Sequence, residues 1–315
     1  MLGKKYLDYC QQLVDSGERS RRTLVNDREA FDRIIEVLGN DIEIGDIDKV
    51  KINEFAKAYK RKPMMRRPGL RTNESVNQKI RALSAAFSWA VNEQLIPVNP
   101  FKYFQKLPEK NPRENINIFL PSQIERFREY FKNKAPGHGA VFEFSLATMA
   151  RAGGIAALCE ADIFREIIDG EPADLAILHE KGKYGKTKNR VVFLDANAMY
   201  AIEIMRSWYD RVEEYCDRFM VLKDPSEYIT RVKAGKVFFP YETYHSISQM
   251  FRRARQELGI KGKMHDLRKT ASSLALDQGV SRRIIQEQLG HSDGKVTDNH
   301  YLKVTITALV REMRR

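Results

Sequence analysis

Apolar positions recur every three to four residues through the first hundred residues. Tyr6, Leu7, Cys10 and Leu13 share one helical face, and Gly17 closes that run. Ser20 or Thr23 caps a second helix carrying Leu24, Phe31, Ile34, Ile35 and Leu38, stopped at Gly39-Asn40. Asp46-Ile47-Asp48 opens a third, with Val50, Ile52, Phe55 and Tyr59 inward. A fourth starts near Glu74, with Val76, Ile80, Leu83, Phe87, Ala90 and Val91 apolar and Pro97 ending it. Residues 1–104 are therefore expected to form an all-helical domain.

The pattern then lapses. Residues 105–120 are polar and carry Pro108 and Pro112, as in an extended, semi-rigid linker. Two domains joined in this way can close around a rod from opposite sides. Pro121-Ser122 opens the second domain, expected over 121–303. Its helix from Gly139 to Met149 is largely apolar (Val141, Phe142, Phe144, Leu146), and Arg151 follows at once. Between 174 and 194 the period changes: Leu175–Leu178 and Val191–Leu194 read as two strands around a basic turn containing Gly. Ala196–Met220 reads as helix, Val237–Pro240 as a short extended piece, and Tyr244–Leu258 as an amphipathic helix. His265–Thr270 opens another helix, apolar through Leu274, Ala275 and Leu276. Ser281 caps the next, with Ile284, Ile285 and Leu289 as its buried stripe and Gly290 as its stop. The tail 304–315 keeps near-helical spacing in Val304, Ile306, Leu309, Val310 and Met313. The expected fold class is mainly α with a small β-hairpin: a helical domain followed by a mixed α/β domain.

Composition narrows the function. A chain of 315 residues suits two domains, and 43% hydrophobic content suits packed cores. Lys and Arg number 54 against 42 Asp and Glu, a formal charge of +12. Such a surplus fits a nucleic-acid binder or a protein that meets an anionic membrane surface. No apolar run approaches the length of a membrane span, and M-L-G-K-K-Y lacks the apolar core of a signal peptide, so no membrane role is expected. Cys10, Cys159 and Cys216 form neither a disulfide framework nor a zinc pattern, which points to reduced thiols in the cytosol. The densest basic stretch is K-R-K-P-M-M-R-R-P-G-L-R-T. Within it Lys60, Arg61, Lys62, Arg66, Arg67 and Arg71 are candidate phosphate contacts.

Three motifs near the C-terminus carry chemistry. M-H-D-L-R-K-T puts His265 and Arg268 three residues apart on one helical face. Q-L-G-H-S-D-G presents His291 just past the Leu289-Gly290 corner, and D-N-H-Y-L-K-V adds Tyr301 ten residues on. H-x-x-R, then L-G-H, then Tyr resembles the C-terminal signature of the tyrosine recombinases, the phage-integrase family. The helix order ending in S-A-A-F-S-W-A-V-N-E-Q-L-I-P-V-N-P-F is similar to the core-binding domain of that family. A-T-M-A-R-A-G-G-I-A-A-L-C-E-A-D-I resembles its first arginine motif, which implies that Arg151 is the first catalytic arginine; Leu158 and Asp162 also match. Two positions depart. Met149 stands where the family has Gly, and Gly154 where it has the Glu that braces the arginine. Glu160 and Asp162 are the candidates to replace that Glu. The basic turn resembles the family's hairpin that delivers a catalytic lysine into the minor groove. Lys183 fits if the extra residues fall after it, Lys186 if they fall before. Lys181 and Lys188 are then expected at phosphates or in solvent, as is Lys186 where Lys183 is the catalytic one.

Phosphodiester chemistry explains why these residue types are needed. Two non-bridging oxygens repel a nucleophile and gain charge in the transition state, so fixed cationic donors come first. Arg151 and Arg268 supply planar forks that match a phosphate bidentately, and His291 adds a third donor. The resemblance makes Tyr301 the nucleophile. A phenol with a pKa near ~10 is only about one-thousandth ionised at neutral pH, so a base is required, and His265 takes that role. Attack gives a 3′-phosphotyrosine ester and expels a 5′ hydroxyl, which the hairpin lysine protonates. A different 5′ hydroxyl reverses the step without ATP. No acidic or Cys/His cluster has ligand spacing, so neither a metal nor another cofactor is expected.

The resemblance thus implies a site-specific DNA recombinase of integrase type, from a mobile element or phage. It would be cytoplasmic and nucleoid-associated. It would act on double-stranded DNA as a homo-tetramer on paired sites, being monomer or dimer when free, with room for accessory DNA-bending proteins. The apolar spacing of the tail suits packing on its own domain, and the resemblance implies docking onto a neighbouring protomer, which is the expectation adopted. Two rivals share the fold: a relaxing enzyme like topoisomerase IB, and a non-catalytic DNA-binding protein, which the departure at Gly154 keeps open.

Overall fold

The computed structural model describes residues 2–40, 42, 44–63, 69–109, 117–181, 187–219, 225–235, 239–241, 243–290 and 306–314. The chain divides into two compact units, one within Met1–Glu114 and one within Asn115–Arg315.

The first unit is built from α1 (Leu2–Asp15), α2 (Arg21–Leu38), α3 (Lys49–Arg61) and α4 (Asn73–Asn92). Side-chain oxygens start three of them. Ser20 accepts from the Thr23 N–H at 3.2 Å, Asp48 from Lys51 at 2.9 Å and Thr72 from Ser75 at 3.2 Å. Each satisfies a first-turn donor that has no partner within the helix, worth about 1 kcal/mol. The apolar stripes of the four helices meet in one core that includes Tyr6, Phe31, Ile52, Phe55, Val76, Leu83 and Phe87. Burying each large side chain contributes about 1.5–3 kcal/mol.

Two stripe positions differ from expectation. Val50 is exposed because it sits two residues, a little over half a turn, from Ile52. Ile35, at the edge of its stripe, is exposed as well. The third helix opens at Asp48, within the stretch expected for it, and a 3₁₀ turn over Ile44–Asp46 precedes it. Asn77 of α4 donates to the Leu107 carbonyl at 2.9 Å and accepts the Leu107 N–H at 3.0 Å, so the first unit reaches past residue 104.

In the second unit α5 (Pro121–Lys132), α6 (Pro136–Thr148) and the short α7 (Ala152–Ala157) lead into a three-stranded sheet. Its strands β1 (Ile163–Ile168), β2 (Glu171–Lys181) and β3 (Thr187–Phe193) are antiparallel in that order. Among the described residues seven helices follow: α8 (Ala196–Arg206), α9 (Val212–Phe219), α10 (Ser226–Lys233), α11 (Tyr244–Glu257), α12 (Met264–Asp277), α13 (Arg282–Gln288) and α14 (Ile306–Met313). Strand β1 was not anticipated, because I-F-R-E-I-I does not alternate. The single helix expected from 196 onward is broken by a turn through Tyr209–Arg211. The domain is thus mainly α with one small sheet, as the sequence pattern indicated.

Aromatic rings fill the core. Phe127 stacks on Phe251 at 5.0 Å and meets Phe119 edge-on at 5.5 Å. Thr270 of α12 accepts the Phe119 N–H at 2.9 Å and donates to the Asp266 carbonyl at 2.8 Å. That pins the entry of the unit to the helix that carries His265. Helix α14 lies on its own unit, with Leu309 against the cluster of Val280, Ile284 and Leu289, and Val310 against that of Leu175 and Phe193. Among the described residues, no helix is long and apolar enough to cross a membrane.

Candidate active site

Helix α6 ends on Met149, whose backbone is left-handed at φ 54°. That conformation costs a residue with a Cβ about 1–2 kcal/mol, which explains why glycine suits the position. Met149 offsets the strain by burying its side chain in the cluster of Ala271, Ala275 and Leu289. The reversal releases Arg151 from the helix and makes it the N-cap of α7.

Arg151 meets a carboxylate that comes from the sheet. Its backbone N–H donates to Glu180 Oε1 at 3.1 Å, and its Nη1 donates to Glu180 Oε2. Glu180 points inward from β2, in phase with Ala176 and Leu178, and is 3% exposed. Arg190 of β3 donates Nη2 to the same Oε1 at 3.0 Å, while Arg268 Nη1 stands 3.9 Å from it. One buried carboxylate therefore gathers guanidinium groups from the start of α7, from β3 and from α12.

The same arginines hold the end of α13. Arg268 donates Nη1 to the Met149 carbonyl at 2.5 Å and Nη2 to the Leu289 carbonyl. Arg190 donates Nη1 to the Gln288 carbonyl and Nη2 to that of Met149 at 3.4 Å. Lys188 donates to the Gly290 carbonyl at 3.0 Å. Terminal carbonyls that have no helical partner are thus taken by cations, the sign that the helix dipole favours at this end. Gly290 has φ 63°, and a Cβ there would lie 2.6 Å from Arg190 Cδ. Backbone conformation and close approach both demand glycine at this corner.

Charge follows from this geometry. Burial would raise the Glu180 carboxyl, but Arg190 and then Arg151 outweigh it and hold the group below its ordinary pKa, so it is ionised. Burial, then repulsion from Arg151 and Arg190, lowers the Arg268 guanidinium to about 9 against the pull of Glu180; it stays charged at neutral pH. His265 occupies the first turn of α12 and is exposed. Crowding around its ring, then the charges of Arg268 and Lys269 and, more weakly, Arg151, lower its pKa against the pull of Asp266. Neutral imidazole, the form able to accept a proton, predominates at pH 7. Three guanidinium groups against one carboxylate leave a positive surplus beside that base. Arg151 is the open member, with 37% of its side chain exposed against 4% for Arg268.

Arg151, Arg268 and His265 are therefore brought together. Lys183, Lys186, His291, Tyr301, Arg66 and Arg67 lie outside the described residues, as does the side chain of Lys181. Lys60 and Arg61 are exposed at the end of α3; Lys62 pairs with Glu36, and Arg71 lies 4.4 Å over the Tyr59 ring. Lys188 turns toward Gly290. Glu160 and Asp162 do not reach Arg151: Glu160 pairs with Arg206 at 2.5 Å and Asp162 with His179 at 2.7 Å. Glu180 and Arg190 were missed from sequence. Their signal was present, because both are charged residues in phase with the inward-facing residues of their strands.

Fold and site together define a protein with a helical first unit and a second unit that gathers three guanidinium groups and a histidine around one buried carboxylate. The Phage integrase family model matches residues 118–307, and the Phage integrase SAM-like domain matches residues 5–107. The tyrosine recombinase XerC of Bacillus subtilis (strain 168) is 25% identical over 297 residues, covering 92% of this chain and 88% of that protein. A Tn1549 transposon integrase in complex with circular intermediate DNA superposes with a TM-score of 0.61 at 20% identity, covering 100% of this chain and 99% of that one. A lambda integrase tetramer bound to a Holliday junction gives 0.62 at 18%, covering 96% and 80%. The chain belongs to the phage integrase family. It is a tyrosine-type site-specific DNA recombinase, and DNA is its partner.

Proposed function

We propose that Arg151 and Arg268 grip one scissile phosphate of double-stranded DNA while the phenol of Tyr301 attacks it. The observation that supports this most is the meeting of both guanidinium groups at Glu180 beside a neutral His265. Two fixed forks stabilise the oxygens that gain charge, and losing one such donor typically costs about 3–4 kcal/mol of barrier. His265 accepts the phenol proton and His291 adds a donor. As the phosphorus–tyrosine bond forms, the bond to the 5′ oxygen breaks, and Lys183, or Lys186 in its place, protonates the departing oxygen. The ester conserves the bond, so a second 5′ hydroxyl rejoins the strands without ATP.

The helical unit, over about residues 1–104, contacts DNA through Lys60, Arg61, Lys62, Arg66, Arg67 and Arg71. The linker, expected over 105–120, falls between Leu107 of the helical unit and Phe119 of the catalytic unit. The catalytic unit, 121–303, adds Lys181 and Lys186. Four copies assemble on paired sites, the number named for the lambda integrase tetramer on a Holliday junction, and the tail 304–315 exchanges the contacts its helix makes on its own unit for a neighbour's in that assembly. Accessory DNA-bending proteins assist on nucleoid DNA in the cytoplasm.

The test is a pool of nicked duplexes with a randomised core, incubated with the full chain and scored for DNA covalently attached to protein. Adduct that disappears in Tyr301→Phe is expected. DNA binding without adduct would favour the non-catalytic DNA-binding protein, and plasmid relaxation without strand exchange the topoisomerase-like enzyme.

A further inference from the structure

Glu180 is an unusual residue to find facing the interior of a strand. Carboxylates are almost never buried without a partner that compensates for lost solvation. Its neighbours along the same face, Ala176 and Leu178, are fully buried core residues. Both of its oxygens are engaged, and each reaches Arg151 at a different place: Oε1 takes the backbone N–H and Oε2 the guanidinium. A carboxylate that grips a residue by main chain and side chain together fixes the direction of the side chain as well as its charge.

Gly154 supplies the space. A Cβ built at that position would lie 3.0 Å from Glu180 Cγ and 3.5 Å from Oε1. Gly154 is buried on α7 and its own backbone is helical, so no positive φ calls for glycine there. What calls for it is the Glu180 side chain. A side chain on α7 and the carboxylate from β2 compete for one volume, and this chain has the second arrangement.

We propose that Glu180 is the positioning residue for Arg151, a brace delivered from β2 into the space that Gly154 leaves on α7. The inference rests on the reading that Arg151 grips the scissile phosphate. Placing the brace on β2 has a consequence that a brace on α7 lacks. The same carboxylate also receives Arg190 from β3 and stands near Arg268, so one strand sets the spacing of three positive charges that would otherwise repel one another. The strand that runs on toward Lys183 is also the strand that aims Arg151.

The experiment uses the full chain and a nicked duplex recovered from the randomised pool, with adduct formation followed in single turnover at saturating DNA and binding measured separately. Glu180→Ala and the isosteric Glu180→Gln are each expected to slow adduct formation about 10- to 100-fold while DNA affinity changes less than threefold. Adding Gly154→Glu to Glu180→Ala returns a carboxylate to the same volume and is expected to recover at least tenfold of a hundredfold loss. Gly154→Glu alone, which crowds two carboxylates together, is expected to be impaired. If Glu180 served only to neutralise buried Arg190, then Arg190→Met would restore the rate of Glu180→Ala; that result overturns the proposal. So does a folded Glu180→Gln or Glu180→Ala protein that reacts at the wild-type rate, or a folded double variant no faster than Glu180→Ala. Absence of adduct from the wild type would instead reject the recombinase chemistry itself.

Discussion

Arg268 Nη1 donates to the carbonyl of Met149 at 2.5 Å, joining positions 119 residues apart in the chain. The left-handed turn at Met149 aims that carbonyl, and the second nitrogen of the same fork reaches Leu289. One planar side chain thus fastens α6 to the end of α13. Lysine has a single point donor and cannot span the two carbonyls. Arg268→Lys is expected to lower stability by about 1–3 kcal/mol, because one buried acceptor loses its partner. It is also expected to slow adduct formation about 10²–10³-fold. Urea denaturation and a single-turnover assay measure the two effects; an unchanged adduct rate would remove Arg268 from the phosphate grip.

Met149→Gly sets two terms against each other. Relief of the left-handed backbone is worth about 1–2 kcal/mol, whereas deleting a buried methionine side chain costs about 2–5 kcal/mol. The loss is larger, so a net destabilisation of about 1–3 kcal/mol is expected in chemical denaturation. A more stable Met149→Gly protein would mean that the side chain contributes little to its cluster.

These positions show how unevenly the molecule could be read from its sequence. The helix starts at Ser20 and Ser281 were legible because capping is local chemistry, and the Gly290 stop because φ and residue type are tightly linked. Arg151, Arg268 and His265 were legible as motif residues, and the structure brings them to one place. The brace was not legible. Whether Glu160, Asp162 or Glu180 reaches Arg151 depends on how β2 packs against α7, a contact between residues 29 apart that no local pattern encodes. Strand β1 escaped for a related reason: its inclusion is decided by pairing with β2, as in Phe164 opposite Leu175, and its own residues do not alternate.

Gly290→Ala should be costly for a residue so near the surface of a turn. The φ of 63° is strained for alanine, and the added Cβ would lie 2.6 Å from Arg190 Cδ. A loss of more than about 1 kcal/mol is expected, read as a lower melting temperature. Alanine accepted without loss would show that Arg190 yields easily at this corner.

The pH response follows from His265. Its folded pKa lies below the ordinary 6.5, so between those two values the unfolded chain holds more protons on this ring than the folded one. Its contribution to stability is therefore present above pH 6.5 and declines as pH falls through that window. Adduct formation follows the same direction, staying high at pH 6.5 and failing only at lower pH, where the base becomes protonated. A pH–rate profile checks this, and a limb centred above 6.5, or one that persists in His265→Gln, would point to a different base.

Arg268 is 3% exposed, and both ends of its fork are bonded to main-chain carbonyls. The group assigned to seize the substrate is also a rivet of the domain, so chemistry and architecture cannot be subtracted separately at this residue. An inactive protein made by altering it would differ from its parent in shape retention as well as reactivity. A trap for the natural target is better prepared by removing one phenolic oxygen, at Tyr301, which leaves the rivets in place.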